Sequence, residues 1–546
     1  MFRWFRPILT QQPQVSMITI VAINLLWFCN MFQMFITSNG LAFTVKHFTD
    51  DTRLIALATS IGFGFSFLIG PVCNYLSDRI WTKLGRRRPF VILGWTAVAI
   101  AMAVLPLMPS YGALVTLIVV YTLIGDMGTP VEPLCMEVVP PHQRARSMST
   151  RLILIQAASL IYFQLLFPRF DQLLHIPDSI PLIGGLAFTG ERLIYTITSL
   201  LFFSMVAFLL FVVREVKVPS APNIPLRELK FTPVKSTWAF LVDTFGDRRW
   251  LWIYLLYCSA NAFFASWTNS PLYALLLTEQ FGFTKADMGL MILPSQLIGA
   301  IMLLPLMGWF GDRYPRISYW LLLAIGGAAA AAVVWIMTGS LNLPRDQLPG
   351  IFWMLVLGGL MMTVAASFYL VAVQIVLAWS GKEGARVYIF LVSLGLEIVQ
   401  CGGSWLLIRH YQNAGIAPPI LIWFLYDLIR LTIQRSMEVV TTPMFFDFVP
   451  RDRMGTLSSG FGFTNGLLVF TLTNVVGTWI QLLSGTGVKN YGSGFLLQGA
   501  VGVLAFIGTV MFIRSFRRGK IFEYGRLGFG AEERPVASPA VAEAVQ

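Results

Sequence analysis

Apolar runs long enough to cross a bilayer follow one another along almost the whole chain and leave room for little else. A spanning helix needs about 20 apolar residues. Runs of that order occupy 17–38, 54–76, 90–108, 113–138, 148–167, 193–213, 250–276, 286–309, 318–338, 351–379, 387–409, 421–448, 459–483 and 493–514. Fourteen crossings put both ends of the chain on one side. Only 12% of the residues are charged, about half the share usual in a soluble domain. The expectation is an all-α polytopic membrane protein in the plasma (inner) membrane, with both termini cytoplasmic.

The charges test that count. With the N-terminus in the cytoplasm, the inside segments hold 29 Lys and Arg and the outside segments 8, while Arg430 and Arg435, within a span, complete the 39. Such a split is the positive-inside pattern, and one run too many or too few would reverse every later loop. The net charge of +12 then suits an anionic membrane surface rather than nucleic acid. The five cysteines all fall in apolar runs, giving neither a disulfide framework nor a zinc spacing. No cofactor or metal is expected. The expected partners are a small solute, protons and lipid, with the chain acting as a monomer.

The loop at 214–249 carries Pro219, Pro222, Pro225 and Pro233 and divides the runs into six and eight. This predicts an N-terminal bundle over 1–213, a cytoplasmic linker over 214–249 and a C-terminal bundle over 250–515. The tail over 516–546 turns basic and then Ala/Pro/Glu-rich, a composition that predicts disorder. The halves look like distant copies. Run two ends in GPVCNYLSDRIWTKLGRRRPF (70–90) and run eight in GWFGDRYPR (308–316). MEVVPPHQRARSMS (136–149) has its counterpart in FDFVPRDRMGTLSS (446–459). Asp78 and Pro140 lie 62 residues apart, Asp312 and Pro450 138 apart. The excess of 76 is room for an extra transmembrane hairpin within about 318–410, and which two runs form it stays open. Internal repeats about a long central loop suggest a transporter that rocks two bundles about a midplane site.

Gly70, Asp78, Arg79, Gly85, Arg86 and Arg87 resemble the loop signature between spans two and three of the major facilitator superfamily, with a longer gap between Asp78 and Gly85. The longer form, S-D-R…G-R-R-R-P-F, together with TPVEPLCMEVVP (129–140), resembles the sucrose transporters and the glycoside–pentoside–hexuronide:cation symporters. The resemblance implies a major facilitator fold: two six-helix bundles plus the extra hairpin. It also implies a gate at the charged loops, made by Asp78, Arg79, Gly85, Arg86, Arg87 and Glu137 in the first half and Asp312, Arg313 and Asp447 in the second. Exposed ion pairs contribute only about 0–1 kcal/mol each, which suits a reversible latch. Simple topogenic charge is the other reading of the arginines.

Two runs carry charge at their centres. Asp126 lies in the middle of 113–138, and Glu132 follows about 9 Å further along at 1.5 Å per residue. Gly125, Gly128, Pro130 and Pro133 predict an irregular helix there, tolerated only where it lines protein or a wet cavity. In 421–448, Asp427, Arg430, Gln434 and Glu438 fall within about 80° of one another at 100° per residue, and Arg435 widens the stripe to about 140°. A central charge facing lipid costs about 2.5–3.5 kcal/mol on insertion scales, so these groups must face each other or water. An ion-pair network that only joins the bundles is the alternative. By the resemblance, the first, fourth, seventh and tenth core helices line one central cavity, and 113–138 and 421–448 are the fourth and tenth. The first then adds Asn24, Trp27, Asn30 and Gln33, and the seventh Asn261, Trp267 and Asn269. Trp27, Asn30, Asn261, Trp267, Asp427, Arg430, Gln434 and Arg435 are the candidate substrate contacts. Aromatic faces with amides suit a polyol such as a sugar.

Two departures from the resembled branch bear on substrate and coupling. Glu132 stands where the sucrose transporters carry an arginine, and the first two spans hold no acid before Asp78, where the melibiose-type carriers place cation ligands. Arg430 and Arg435 keep an organic anion open as substrate. No G-x-x-x-x-G-K-[ST] loop is present to cradle ATP. All four histidines (His47, His142, His175, His410) fall in loops, so carboxylates must carry proton coupling: Asp126, Glu132 and Glu438, with Arg430 or Arg435 expected as the cation beside Glu132. The leading expectation is proton-coupled symport of a small polar solute, sugar or glycoside-like. A non-transporting assembly or pigment-delivery factor on the same fold is the competing class. An enzyme is not expected, for want of an intramembrane histidine, an H-E-x-x-H motif or a nucleophile motif.

Overall fold

The computed structural model describes residues 8–9, 14–77, 80–140, 143–175, 187–216, 242, 245–246, 258–259, 262–289, 291, 324, 326–329, 331–332, 360, 385–420, 422–423, 426–427, 430, 433–434, 454–484 and 489–517. Most of the expected linker, much of the 318–410 region and nearly all of the tail lie outside the described residues, as do Asp78, Arg79, Asn261, Asp312, Arg313, Arg435, Glu438 and Asp447.

The described helices are α1 (Met17–Phe35), α2 (Leu41–Lys46), α3 (Thr52–Ser77), α4 (Arg88–Val104), α5 (Tyr111–Gly125), α6 (Val131–Val138), α7 (Arg144–Leu160), α8 (Gly190–Phe211), α9 (Leu272–Leu275), α10 (Ala385–Asn413), α11 (Met454–Ser484) and α12 (Gly494–Arg517). Among the described residues, 7 helices are long and apolar enough to cross a membrane, so this is an integral membrane protein. Small polar residues start several of them. Ser16, Ser110 and Thr189 accept backbone N–H bonds from Thr19, Ala113 and Arg192 at 3.2, 3.3 and 3.4 Å, which satisfies donors the helix itself leaves open.

The first crossing is longer than its apolar run. α1 continues through a wide turn at Ile36–Gly40 into α2, giving a single crossing over Met17–Lys46. Thr37, Ser38, Asn39 and Gly40 end the hydropathy signal without ending the helix. Thr37 Oγ1 bonds back to the Gln33 carbonyl at 3.1 Å and Asn39 Nδ2 to the Phe35 carbonyl at 3.4 Å, so these polar groups are met by their own helix.

α3 lies along α11, α4 along α8, α10 along α12 and α1 along α7. Two short strand pairs close the ends: β1 (Ile8–Leu9) runs parallel to β4 (Val213–Arg214), and β2 (Leu173–His175) antiparallel to β3 (Ala187–Thr189). First-half and second-half residues meet along α3 and α11, where Asn474 Nδ2 donates to Ser60 Oγ at 2.8 Å and Thr52 Oγ1 to the Gly477 carbonyl at 3.0 Å. They meet again at the end that the charge tally assigns to the outside. There Lys46 pairs with Glu279, and Tyr491 donates to the same carboxylate at 2.9 Å. Lys285 meets Asp171 at 2.5 Å, with its ammonium 4.2 and 4.1 Å from the rings of Phe43 and Phe170.

Candidate functional site

The fourth apolar run does not form one helix. α5 stops at Gly125, a single tight turn covers Asp126–Gly128, and α6 begins after Pro130. The glycines let α4 press against this break: a Cβ on Gly94 would stand 2.5 Å from the Gly128 nitrogen and 2.8 Å from the Gly125 carbonyl oxygen. Beside the break lies a cavity of about 380 Å³. α1 supplies Trp27, Asn30 and Gln33 to its wall, α3 supplies Thr59 and Phe63, and α4 supplies Trp95. Tyr121, Thr122, Asp126, Thr129 and Glu132 come from the broken helix. Asp126 Oδ2 is buried without a hydrogen-bond partner. Broken backbone at this depth is thus placed where it lines a cavity, and Asp126 is carried on the break itself.

Glu132, six residues further on in the first turn of α6, is gripped by Arg151 of α7. Arg151 Nη1 donates to Glu132 Oε1 at 3.1 Å, and Nη2 lies 3.0 Å from Oε2 in an ion pair without hydrogen-bond geometry. The guanidinium also lies 4.3 Å from the centre of the Trp27 ring and 3.5 Å from Asn24 Oδ1. Asn24 Nδ2 in turn donates to Ser147 Oγ at 2.8 Å. Three helices, α1, α6 and α7, are therefore joined through one arginine at the edge of the cavity.

The second-half stripe also comes together. Arg430 Nε donates to Asp427 Oδ1 at 2.6 Å, Tyr273 Oη donates to the same oxygen at 3.1 Å, and Arg430 Nη1 donates to Gln434 Oε1 at 3.1 Å. Gln434 Nε2 reaches Asn269 Oδ1 at 3.5 Å. Asp427, Arg430 and Gln434 are all buried, as the cost of facing lipid requires. None of them is among the lining residues of the cavity described above.

The charged loop before α4 is also ordered by partners. Gly85 has φ +113°, and a Cβ there would meet the Glu215 carboxyl carbon at 2.7 Å. Glu215 accepts the backbone N–H groups of Arg86, Arg87 and Arg88 at 2.9, 3.1 and 2.8 Å, placing an anion on the positive end of α4. The Arg86 and Arg87 side chains both pair with Glu137 at the end of α6. Arg88 binds the last carbonyls of α8, at Leu209 and Leu210.

Of the residues singled out in sequence, Trp27, Asn30, Asp126 and Glu132 share the cavity. Gly85, Arg86, Arg87 and Glu137 share the loop cluster, and Asp427, Arg430 and Gln434 form the separate second-half cluster. Trp267 is fully buried, stacked edge-on against Tyr273 and Phe495 with ring centres 5.9 and 6.0 Å away. Among the described residues the cation beside Glu132 is Arg151, while Arg430, expected there, pairs with Asp427, and Arg435 lies outside the described residues. Arg151 falls inside run 148–167, three residues past its start, where composition alone groups it with the inside charges. Glu397, a lone acid at the centre of run 387–409, is a further buried carboxyl outside the sequence expectations. The signal that marked Asp126, one carboxylate amid apolar residues, marks it equally.

The sequence pattern of the Major Facilitator Superfamily matches residues 23–378. A crystal structure of a bacterial homologue of the iron transporter ferroportin, in an inward-facing state, aligns with TM-score 0.52 and 12% identity, covering 91% of this chain and 99% of that one. The crystal structure of the nucleoside transporter NupG aligns with TM-score 0.50 and 12% identity, covering 90% of this chain and 98% of that one. No curated protein matches the chain in sequence. At such identities the alignments speak to fold alone. The family pattern spans well over half of the chain, through both the broken fourth helix and the charged loop before α4, and the chain belongs to the Major Facilitator Superfamily of membrane transporters.

Proposed function

We propose that this transporter couples the inward movement of protons to that of a small polar solute, sugar or glycoside-like, by alternating exposure of a site between two helical bundles. The observation that carries the reading is the Glu132–Arg151 pair at the rim of the cavity that also holds the unpartnered Asp126 oxygen. A proton added to Glu132 cancels one charge of the pair and frees Arg151, which then loses its hold across α1, α6 and α7. A solute hydroxyl set against Trp27, Asn30 and Gln33 competes for the same donors. Proton and solute thus act on one set of contacts, which is what coupling requires. Ring faces with amides and hydroxyls favour a polyol over a purely apolar ligand.

Uptake into proteoliposomes from a panel of sugars and glycosides, with and without an inward proton gradient, tests the reading. The wild-type chain accumulates one of them only with the gradient. Glu132→Gln loses accumulation and keeps solute exchange. Undiminished gradient-driven accumulation in both Glu132→Gln and Asp126→Asn would end this assignment.

A further inference from the structure

A second acid in the molecule is enclosed far more completely than Asp126 or Glu132. In α10, Phe390, Leu394, Glu397, Cys401, Ser404 and Ile408 follow one another at alternating spacings of four and three, and each is at most 2% exposed. That spacing places them on one inward seam. Glu397 sits in the middle, fully buried, and neither carboxyl oxygen has a hydrogen-bond partner. Among the described residues, the charged groups that act on it are Arg430 and Asp427. Cys401 on its own helix and Tyr426 across from it are the neighbouring titratable groups, and Tyr273 stands beyond, on Asp427. α12, which packs along α10, carries no ionisable residue from Gly494 to Ile513.

Charge decides what this carboxyl is. Arg430 is already balanced by Asp427 at 2.6 Å. An ionised Glu397 would add an uncompensated negative charge with no donor to meet it, which buried groups avoid by taking up a proton. We propose that Glu397 is a proton-binding site of the second half, occupied in the arrangement seen here and emptied when Arg430 turns from Asp427 toward it. On release the carboxyl O–H bond breaks, the proton passes to water admitted by the movement, and the carboxylate left behind takes the guanidinium as partner, while Tyr273 Oη and the same water meet the Asp427 carboxylate that Arg430 leaves. The proposal rests on the transporter reading only for the use made of the proton.

Infrared difference spectra of the purified full-length protein in liposomes, at neutral pH in potassium buffer without solute, test it. The C=O stretch of a protonated carboxyl should be present in the wild type, lost in Glu397→Gln and kept in both Asp126→Asn and Glu132→Gln. Glu397→Asp should keep the band and shift its position, which guards against a glutamine variant that fails to fold. A band unchanged in Glu397→Gln, or unshifted in Glu397→Asp, overturns the proposal. So does a band discharged by sodium at constant pH, which would make the site one for a metal cation. Failure of the uptake assay sinks the transporter reading and leaves this spectrum untouched, so the two fail separately.

Discussion

Glu132–Arg151 in the first half and Asp427–Arg430 in the second are both carboxylate–guanidinium pairs, and they are built in opposite ways. Glu132 and Arg151 come from different helices, and the Glu132 side chain is 37% exposed. Asp427 and Arg430 stand one turn apart on the same stretch of helix, with side chains only 12% and 6% exposed. A pair that bridges two helices comes apart when they shift, whereas a pair on one helix travels with it. Water can replace Arg151 at Glu132, whereas among the described residues only the neutral Tyr273 hydroxyl would stay on Asp427 without Arg430. The first pair is thus suited to part when helices shift, and the second to part only when the Arg430 side chain itself turns.

Removing one partner from each pair breaks the comparison most directly. Arg430→Met strands a buried carboxylate and should cost about 3–5 kcal/mol, read by denaturation in detergent. Replacing both partners, as Asp427→Leu with Arg430→Met, should recover most of that loss, since a buried pair is often no better than well-packed apolar groups. Arg151→Met should cost only about 1–3 kcal/mol, because the partly exposed Glu132 side chain is open to solvent. Equal losses for the two arginine variants would erase the distinction drawn here.

The smallest effect lies at the far end of the first half. His47 Nε2 is 3.3 Å from Glu191 Oε2. The Glu191 bond raises the imidazole pKa above its usual value, with burial working against it. A raised folded value means the contribution is complete below the ordinary histidine range and is lost as pH rises through the raised value. The His47 side chain is 59% exposed, so solvent screening keeps the effect below about 1 kcal/mol. Tm measured against pH should lose a small alkaline decline in His47→Ala. An identical pH profile in both proteins would remove His47 from the account.

Much of this was written in the sequence, for reasons that also explain the gaps. Gly125, Gly128, Pro130 and Pro133 in one apolar run can only mean broken backbone, so the cavity wall with Asp126 and Glu132 was legible. The 100° periodicity places Asp427, Arg430 and Gln434 on one face, and they are joined there by hydrogen bonds. Arg151 was hidden because an arginine near the edge of an apolar run has the same composition whether it orients the chain or grips an acid. Glu132 and Arg151 are 19 residues apart on different helices, and no periodicity links them. The continuation of the first crossing through Thr37–Gly40 was hidden because hydropathy counts polar side chains as wet, while these bond to the backbone one turn back.

The chain leaves its first half through a doubly fastened anchorage. Val213 and Arg214 are paired with Ile8 and Leu9, and the next residue, Glu215, holds the amides of Arg86, Arg87 and Arg88. Any tension drawn through the polypeptide beyond residue 216 is therefore delivered first to the Gly85 turn and the head of α4. From there it passes along α4 to Gly94, which rests directly against the kink that carries Asp126.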